Sequence, residues 1–247
     1  MLTMENIFSE IIENGGSTPC RKVNEIASRF PERVAFRDKR FGIWSEISYQ
    51  SFWDQAQWVG CALNYFGVDR FDKAAVHSEN RPEWIIADIG IQSIRAITVG
   101  LYPTNPPSEV KYLLGHSETK ILFAEDQEQV DKALEVMDEL PNLQKIIYFE
   151  DRGVVSYKDI LMSWDDFLAI GKEEYEKNND FVTSRMEEIE SGDVACLIYT
   201  SGTTGAPKGS MISHGNLEWC GSIIPKLSFT PGISNPEFLS YLPICHI

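Results

Sequence analysis

The chain has 247 residues, of which 43% are hydrophobic and 24% charged, so it can bury a core of one or two domains and is not a collagen, a coiled coil or a disordered chain. With 22 Lys and Arg against 37 Asp and Glu, its net charge of −15 argues against nucleic acid or anionic lipid as a partner bound by bulk electrostatics. Residues 125–151 and 171–193 carry −7 and −5 of that charge, which we interpret as solvated helix faces. Residues 194–247 hold only four formal charges, so a polyphosphate site fits better there.

Cysteine usage and hydropathy predict a cytoplasmic protein with reduced thiols. The five cysteines are odd in number and show no C-x-x-C spacing, which argues against a disulfide framework or a zinc site. The first 16 residues lack the basic start and apolar run of a secretory signal. The most apolar stretch, 85–102, contains Asp88, Gln92 and Arg95 and is too short to span a bilayer. Peripheral contact with a membrane is left open.

Helix caps and apolar periodicity predict alternating helices and strands along the chain. Up to residue 124 we predict, in order, a helix from Thr18-Pro19 to Phe30, strands at 34–36 and 43–44, a helix from Ser48 to Gly67, a strand at 74–76, a helix opened by Asn80 and Pro82, a strand at 96–99, a helix from Asn105 to His116 and a strand at 120–124. Beyond it we predict a helix opened by Asp126, a strand at 145–149, a helix over 164–177 capped by Ser163, a polar surface crossing over 178–192, a strand at 194–199, a helix at 216–226 and a strand at 237–242.

This alternation indicates an α/β fold with a mainly parallel sheet flanked by helices. In open sheets of this kind, ligands bind outside the carboxyl ends of the strands. We therefore look for chemistry in the segments that follow predicted strands.

One such segment, residues 199–209, reads Tyr-Thr-Ser-Gly-Thr-Thr-Gly-Ala-Pro-Lys-Gly and follows an uncharged strand directly. Its glycines let backbone N–H groups approach a phosphate, its hydroxyls add donors, and Lys208 supplies a counter-charge. A Walker A loop fails on spacing, because Pro207 stands at the sixth position from Gly202, and a G-x-G-x-x-G pattern is absent. The remaining alternative is a turn that binds no ligand, which is the common fate of Ser/Thr/Gly/Pro clusters.

The same segment resembles the phosphate-loop signature of the adenylate-forming (AMP-binding) superfamily, which contains acyl-CoA synthetases, luciferases and the adenylation domains of peptide synthetases. Residues 213–217 resemble the strand-to-helix turn that follows this loop in the family, and weaker similarity to long-chain fatty acyl-CoA synthetases lies at 80–84, 101–104 and 112–118. Residues 239–247 resemble the family's Leu-Pro-x-x-His segment, which makes His246 a candidate for the substrate pocket. The resemblance implies ATP and phosphate binding by Thr200, Ser201, Gly202, Thr203, Thr204, Gly205, Lys208 and Gly209, with Thr204 also a candidate contact of Mg²⁺.

The resemblance implies that the parent enzyme joins a long-chain fatty acid to CoA through an acyl-adenylate, using ATP and Mg²⁺. Residues 1–247 would form the N-terminal part of its large domain, because the family's later Mg²⁺-binding glutamate, ribose-binding aspartate and C-terminal lysine do not occur in this chain. We therefore expect the chain alone to be inactive, with exposed apolar surface near 200–247 and self-association. The alternatives are an adenylating ligase for an aryl acid or an amino acid, and a binding module without catalysis.

Overall fold

The computed structural model describes residues 17–155, 159–200, 206–223 and 237–246. Within these ranges the helices are α1 (Pro19–Arg29), α2 (Tyr49–Tyr65), α3 (Pro82–Ser93), α4 (Pro107–Ser117), α5 (Gln127–Val136), α6 (Trp164–Lys177), α7 (Phe181–Glu187) and α8 (His214–Ile223), with short 3-10 helices at Met137–Glu139 and Ile244–His246. The strands are β1 (Val34–Arg40), β2 (Ile43–Ser48), β3 (Lys73–His77), β4 (Ile97–Leu101), β5 (Ile121–Ala124), β6 (Lys145–Tyr148), β7 (Leu161–Ser163), β8 (Val194–Thr200) and β9 (Lys208–Ser213).

Seven strands form one sheet in the order β7-β6-β5-β3-β4-β8-β9. Every neighbouring pair is parallel except β8 and β9, which run antiparallel. Strands β1 and β2 form a separate antiparallel hairpin. The mainly parallel sheet predicted from the sequence is therefore confirmed, and the carboxyl ends of six of its strands lie along one edge.

Helices cover both faces of the sheet, as the burial of alternate strand residues requires. In β3, Ala74 and Val76 pack into a core with α1, α2, α3, α6 and α7. Between them, Ala75 faces the opposite side and packs with residues of α4 and α5. The centre of β3, residues 74–76, and the whole of β5 are continuous apolar runs because both of their faces are buried.

Local capping explains where several helices begin. The side chains of Thr18, Ser48 and Ser163 accept hydrogen bonds from backbone N–H groups in the first turns of α1, α2 and α6, at 3.3, 3.2 and 3.1 Å. Pro19 and Pro82 occupy first-turn positions, where a missing N–H costs nothing. These starts agree with the predicted ones.

Two predicted segments were wrong. The polar crossing predicted for 178–192 contains helix α7, because Val182 and Met186 are buried against the core beside α2 and α3. The strand predicted for 237–242 is absent from the described backbone, which has no ladder partner there. Strand β7, three residues long, and the edge strand β9 were not predicted.

Large apolar side chains are exposed in the last described segments, as expected from the sequence. Phe238 and Leu239 are 80% and 82% exposed, and Tyr241, Leu242, Met211 and Trp219 are also exposed. Self-association itself stays a prediction. None of the helices within the described ranges is both long and apolar enough to cross a membrane.

Candidate functional site

The candidate site lies along the edge at which the parallel strands end. The segments that leave this edge are 78–81 after β3, 102–104 after β4, 125–126 after β5, 149–150 after β6 and the loop after β8. Backbone N–H of Glu79 donates to Oε2 of Glu125 at 2.7 Å, which ties the ends of β3 and β5 together. This is the edge where an open parallel sheet binds ligands.

The glycine-rich segment connects β8 to β9 as a hairpin. The ladder between these strands runs from Val194 opposite Ser213 to Thr200 opposite Lys208. Both Thr200 and Lys208 are exposed at the end of that ladder. Residues 201–205, which include the predicted phosphate contacts Ser201, Gly202, Thr203, Thr204 and Gly205, lie outside the described residues. The predicted position of the loop, at the carboxyl end of an apolar strand, agrees with the structure.

Lys208 is the first residue of β9, and its position follows from the ladder. Its backbone is paired with Thr200, so its exposed side chain lies at the end of the ladder, next to the loop. Among the described residues Lys208 forms no ion pair. By contrast, cations such as Arg40, Arg95 and Lys120 each lie close to a carboxylate. A cation with no carboxylate partner is available to an anionic ligand.

Aromatic side chains of α4 contact the base of the hairpin. Tyr112 Oη donates a hydrogen bond to the carbonyl oxygen of Pro207 at 2.9 Å, and Nδ1 of His116 lies 2.8 Å from Tyr199 Oη. Tyr199 is buried, and burial raises the pKa of its phenol, so it stays a neutral hydroxyl. Only a weak resemblance at 112–118 pointed to these residues in the sequence, although a spacing of four residues places Tyr112 and His116 on one helix face.

Gly209 lets the Tyr199 ring lie across the hairpin. The two residues are directly opposite in the ladder, and a Cβ on residue 209 would come within 3.2 Å of Tyr199 Cζ. The predicted need for glycine at this position therefore has a contact that explains it: the bare backbone accommodates the aromatic ring.

Asn80 places the segment that contains His246. Its Nδ2 donates to the carbonyl oxygen of Leu242 at 2.7 Å and lies 3.1 Å from Ser240 Oγ, and its Oδ1 accepts from the N–H of Ile244 at 3.0 Å. These bonds hold residues 240–244 against the carboxyl end of β3. The sequence predicted Asn80 as a helix-opening residue within a segment of weak family resemblance, but its role as an anchor was not predicted, because its partners lie 160 positions or more away.

The same contacts bring Cys245 onto β4. A Cβ on Gly100 would lie 2.9 Å from Cys245 Cβ, so only glycine allows this approach. Burial raises the pKa of the Cys245 thiol to about 11, which keeps it protonated and a poor nucleophile near neutral pH. His246 follows in the short 3-10 helix Ile244–His246, beside the ends of β3 and β4, although its side chain lies outside the description.

A charged cleft of about 390 Å³ lies next to Asn80, between the sheet edge and the β1–β2 hairpin. Arg81 is nearly buried and contacts Glu83 Oε2 at 2.9 Å and Glu150 Oε1 at 3.0 Å. Arg40 reaches the same two carboxylates. Arg40 and Arg81 are therefore already paired with carboxylates, whereas Lys208 has no carboxylate partner among the described residues. Within the described part of the chain, no group of three or more His, Cys, Asp or Glu side chains could hold a metal ion.

The chain is similar to known proteins over most of its length. Residues 23–247 match the model of the AMP-binding enzyme family. The chain is 31% identical over 229 residues to a Xenopus laevis protein named long-chain-fatty-acid–CoA ligase ACSBG2, covering 90% of this chain and 30% of that one. It is 30% identical to the human protein of the same name, covering 90% and 33%. The chain thus spans about a third of the length of the curated relatives it matches.

Solved structures share the fold at lower sequence identity. An acetoacetyl-CoA synthetase from Streptomyces lividans superposes with a TM-score of 0.69 at 18% identity, covering 85% of this chain and 31% of that one. A putative long-chain-fatty-acid CoA ligase from Rhodopseudomonas palustris gives a TM-score of 0.66 at 20% identity, covering 85% and 48%. At these identities the likeness concerns the fold alone.

Proposed function

Because the chain belongs to the AMP-binding enzyme family, we propose that it supplies the polyphosphate-binding part of an ATP-dependent long-chain fatty acid–CoA ligase. One observation carries the proposal: the glycine- and hydroxyl-rich segment 199–209 joins β8 to β9 at the carboxyl edge of the sheet. The proposed acid is the one named in its curated relatives, which are long-chain-fatty-acid–CoA ligases.

The proposed reaction has two steps. A carboxylate oxygen of the fatty acid attacks the α-phosphorus of ATP. The bond from that phosphorus to the oxygen between the α- and β-phosphates breaks, pyrophosphate is released, and an acyl-adenylate forms. The thiol of CoA then gives up its proton and attacks the acyl carbonyl, and AMP departs as the thioester forms. The contribution of the protein to such a reaction is to position the reactants and to stabilise charge that develops on the phosphates.

In this proposal the loop after β8 holds the β- and γ-phosphates. Backbone N–H groups and the hydroxyls of Thr200, Ser201, Thr203 and Thr204 donate hydrogen bonds, and the ammonium group of Lys208 offsets the charge of the departing pyrophosphate. Gly202, Gly205 and Gly209 let the backbone approach. Mg²⁺ enters as part of the MgATP substrate, with Thr204 as its contact in the loop.

His246 is proposed to face the fatty-acid carboxylate. Support comes from its backbone position in the segment that Asn80 fixes beside the ends of β3 and β4. A neutral imidazole would donate a hydrogen bond to the carboxylate, and a protonated one would add charge. We also propose that these 247 residues form part of the large domain of the ligase and do not complete the reaction by themselves, because they span about a third of the length of the ligases they match.

Titration calorimetry with MgATP tests the proposal. Lys208→Ala should weaken binding about tenfold or more, because a charge-assisted hydrogen bond contributes roughly 1.5–3 kcal/mol. The matched control is Lys177→Ala, which removes an exposed lysine on α6 whose partner is Glu174. It should bind MgATP like the unmodified chain. Equal affinity of the two variants, or no binding by the unmodified chain, would contradict the proposal.

A further inference from the structure

Three aromatic side chains form a contiguous group between α4 and the base of the β8–β9 hairpin. The rings of Tyr112 and His116 stack with centroids 5.4 Å apart and an interplanar angle of 29°. His116 and Tyr199 meet edge to face at 5.7 Å and 84°. Nothing in the reaction proposed above uses these side chains, because they lie at the base of the loop.

Hydrogen bonds from this group reach both ends of the phosphate loop. Tyr112 binds the carbonyl oxygen of Pro207, the residue immediately before β9. His116 binds the hydroxyl of Tyr199, the penultimate residue of β8. One helix face therefore contacts the chain on both sides of residues 200–206, through the Tyr199 hydroxyl before them and through the Pro207 carbonyl after them.

The support for these rings is rigid. Tyr199 is 8% exposed and packs in the core that Val110, Leu113 and Leu114 of α4 form with the sheet. Its ring lies over Gly209, its partner in the ladder. Buried leucines hold α4 against the sheet, so α4 would not move if the loop ends shifted. Such a shift would have to break the hydrogen bonds of Tyr112 and His116.

We infer that Tyr112 and His116 are positioning residues that hold the ends of the phosphate loop in the conformation that binds ATP, without touching the nucleotide. This inference rests on the proposed function. A glycine-containing loop loses much conformational freedom when it orders around bound phosphates, and that cost reduces affinity. Anchoring both ends in advance lowers the cost, so ATP affinity should depend on hydrogen bonds at the base of the loop.

Three variants test the inference. Tyr112→Phe keeps the ring stacked on His116 and removes only the bond to Pro207. His116→Ala removes the bond to Tyr199, and His116→Asn keeps an amide within reach of the same hydroxyl. The control is Tyr175→Phe, which deletes a partly buried phenol on α6, on the opposite face of the sheet.

The first measurement is the affinity for MgATP. Tyr112→Phe and His116→Ala should raise Kd about threefold to tenfold, as loss of one neutral hydrogen bond implies. His116→Asn should bind more tightly than His116→Ala, and Tyr175→Phe should bind like the unmodified chain. An unmodified chain that binds no MgATP would overturn the proposed function and this inference together. Normal affinity in Tyr112→Phe and His116→Ala, with binding intact in the unmodified chain, would overturn the inference alone.

The second measurement separates positioning from general stability. Amide hydrogen exchange in Tyr112→Phe should be faster at residues 199–209 and unchanged in β3 and β5. Faster exchange throughout the sheet, with a matching fall in Tm, would show that the hydroxyl merely stabilises the fold and would overturn the positioning role.

Discussion

His77 and His214 are fully buried side chains that stay uncharged in the folded protein. The pKa of each is lowered to about 4, chiefly by burial, and for His77 the nearby Lys132 ammonium contributes to that shift. His77 ends β3 directly below the sheet edge that carries the candidate site, and His214 begins α8. Both positions therefore link the protonation of a core side chain to the stability of the region around the site.

We predict that stability falls between pH 6.5 and pH 4. Unfolded histidine takes up a proton near pH 6.5, whereas the folded side chains resist it until about pH 4, so in this window protons favour the unfolded state. Each histidine should cost on the order of 1–2 kcal/mol by pH 5. Urea unfolding at pH 7.5 and pH 5.0 measures the loss. His77→Gln should show a smaller pH dependence, and an equal dependence would contradict the role of His77.

At the scale of elements, the β1–β2 hairpin turns with an unusual pair of residues. Phe41 and Gly42 form its two-residue loop, and both have positive φ, at 50° and 82°. Such loops favour Asn-Gly, because bulky L-residues are strained in the left-handed region. The Phe41 side chain is 82% exposed, and the Arg152 guanidinium lies 5.1 Å from the centroid of its ring.

Phe41→Asn should therefore stabilise the protein by about 0.5–1 kcal/mol, since relief of the strain exceeds the loss of one exposed cation–π contact. Urea unfolding at neutral pH provides the measurement. Ile43→Asn is the control, because Ile43 is also exposed but has ordinary strand geometry. It should not stabilise. A loss of stability in Phe41→Asn would mean that the Arg152 contact outweighs the strain.

An element could be predicted when the interactions that form it lie within a few residues of each other in the sequence. Helices α1, α2 and α6 carry their own caps in Thr18, Ser48 and Ser163, so sequence alone located their starts. Helix α7 was missed because its stability comes from burial of Val182 and Met186 by distant elements. The strand predicted at 237–242 was wrong because an apolar sequence is not sufficient to form a strand. This segment has no ladder partner among the described strands.

The residues of the candidate site also fall into two groups, those that a local motif predicts and those that only the fold brings together. Residues 199–209 were recognisable because their order along the chain is itself the signal. Tyr112, His116 and Asn80 lie in segments that the resemblance marked, but their contacts span 83 to 164 positions of sequence, so no local pattern reveals their supporting role. In such cases the chemistry is visible in the sequence, but the side chains that hold it in place become visible only in the fold.

At the scale of the whole molecule, charge and apolar exposure act against each other. The net charge of −15 makes copies of the chain repel one another. Phe238, Leu239 and Tyr241, each at least 76% exposed, form an apolar segment that favours association. The balance between them depends on ionic strength, because salt screens charge over about 10 Å at 0.1 M and leaves the apolar contact intact.

We predict that the chain self-associates more strongly at 500 mM than at 20 mM salt, with about ten times less protein needed at the higher salt. Sedimentation velocity over a range of protein concentrations measures this. Replacing Phe238 and Tyr241 by serine should abolish association. Replacing Phe41 and Trp44, exposed aromatics of the β1–β2 hairpin, should leave it unchanged. Monomers at both salt concentrations, or equal effects of the two double variants, would contradict the prediction.

The hydrogen bond between Asn80 and Ile244 has a consequence for the order in which the protein is assembled. It joins residues 164 positions apart, whereas strands β3, β4 and β5 are separated by one helix each. Loop-closure entropy makes such a distant contact form late. During synthesis the sheet edge would therefore exist before residues 240–246 leave the ribosome, and these residues would dock onto a finished surface. The segment that contains His246 would then be among the last described parts of the chain to take shape.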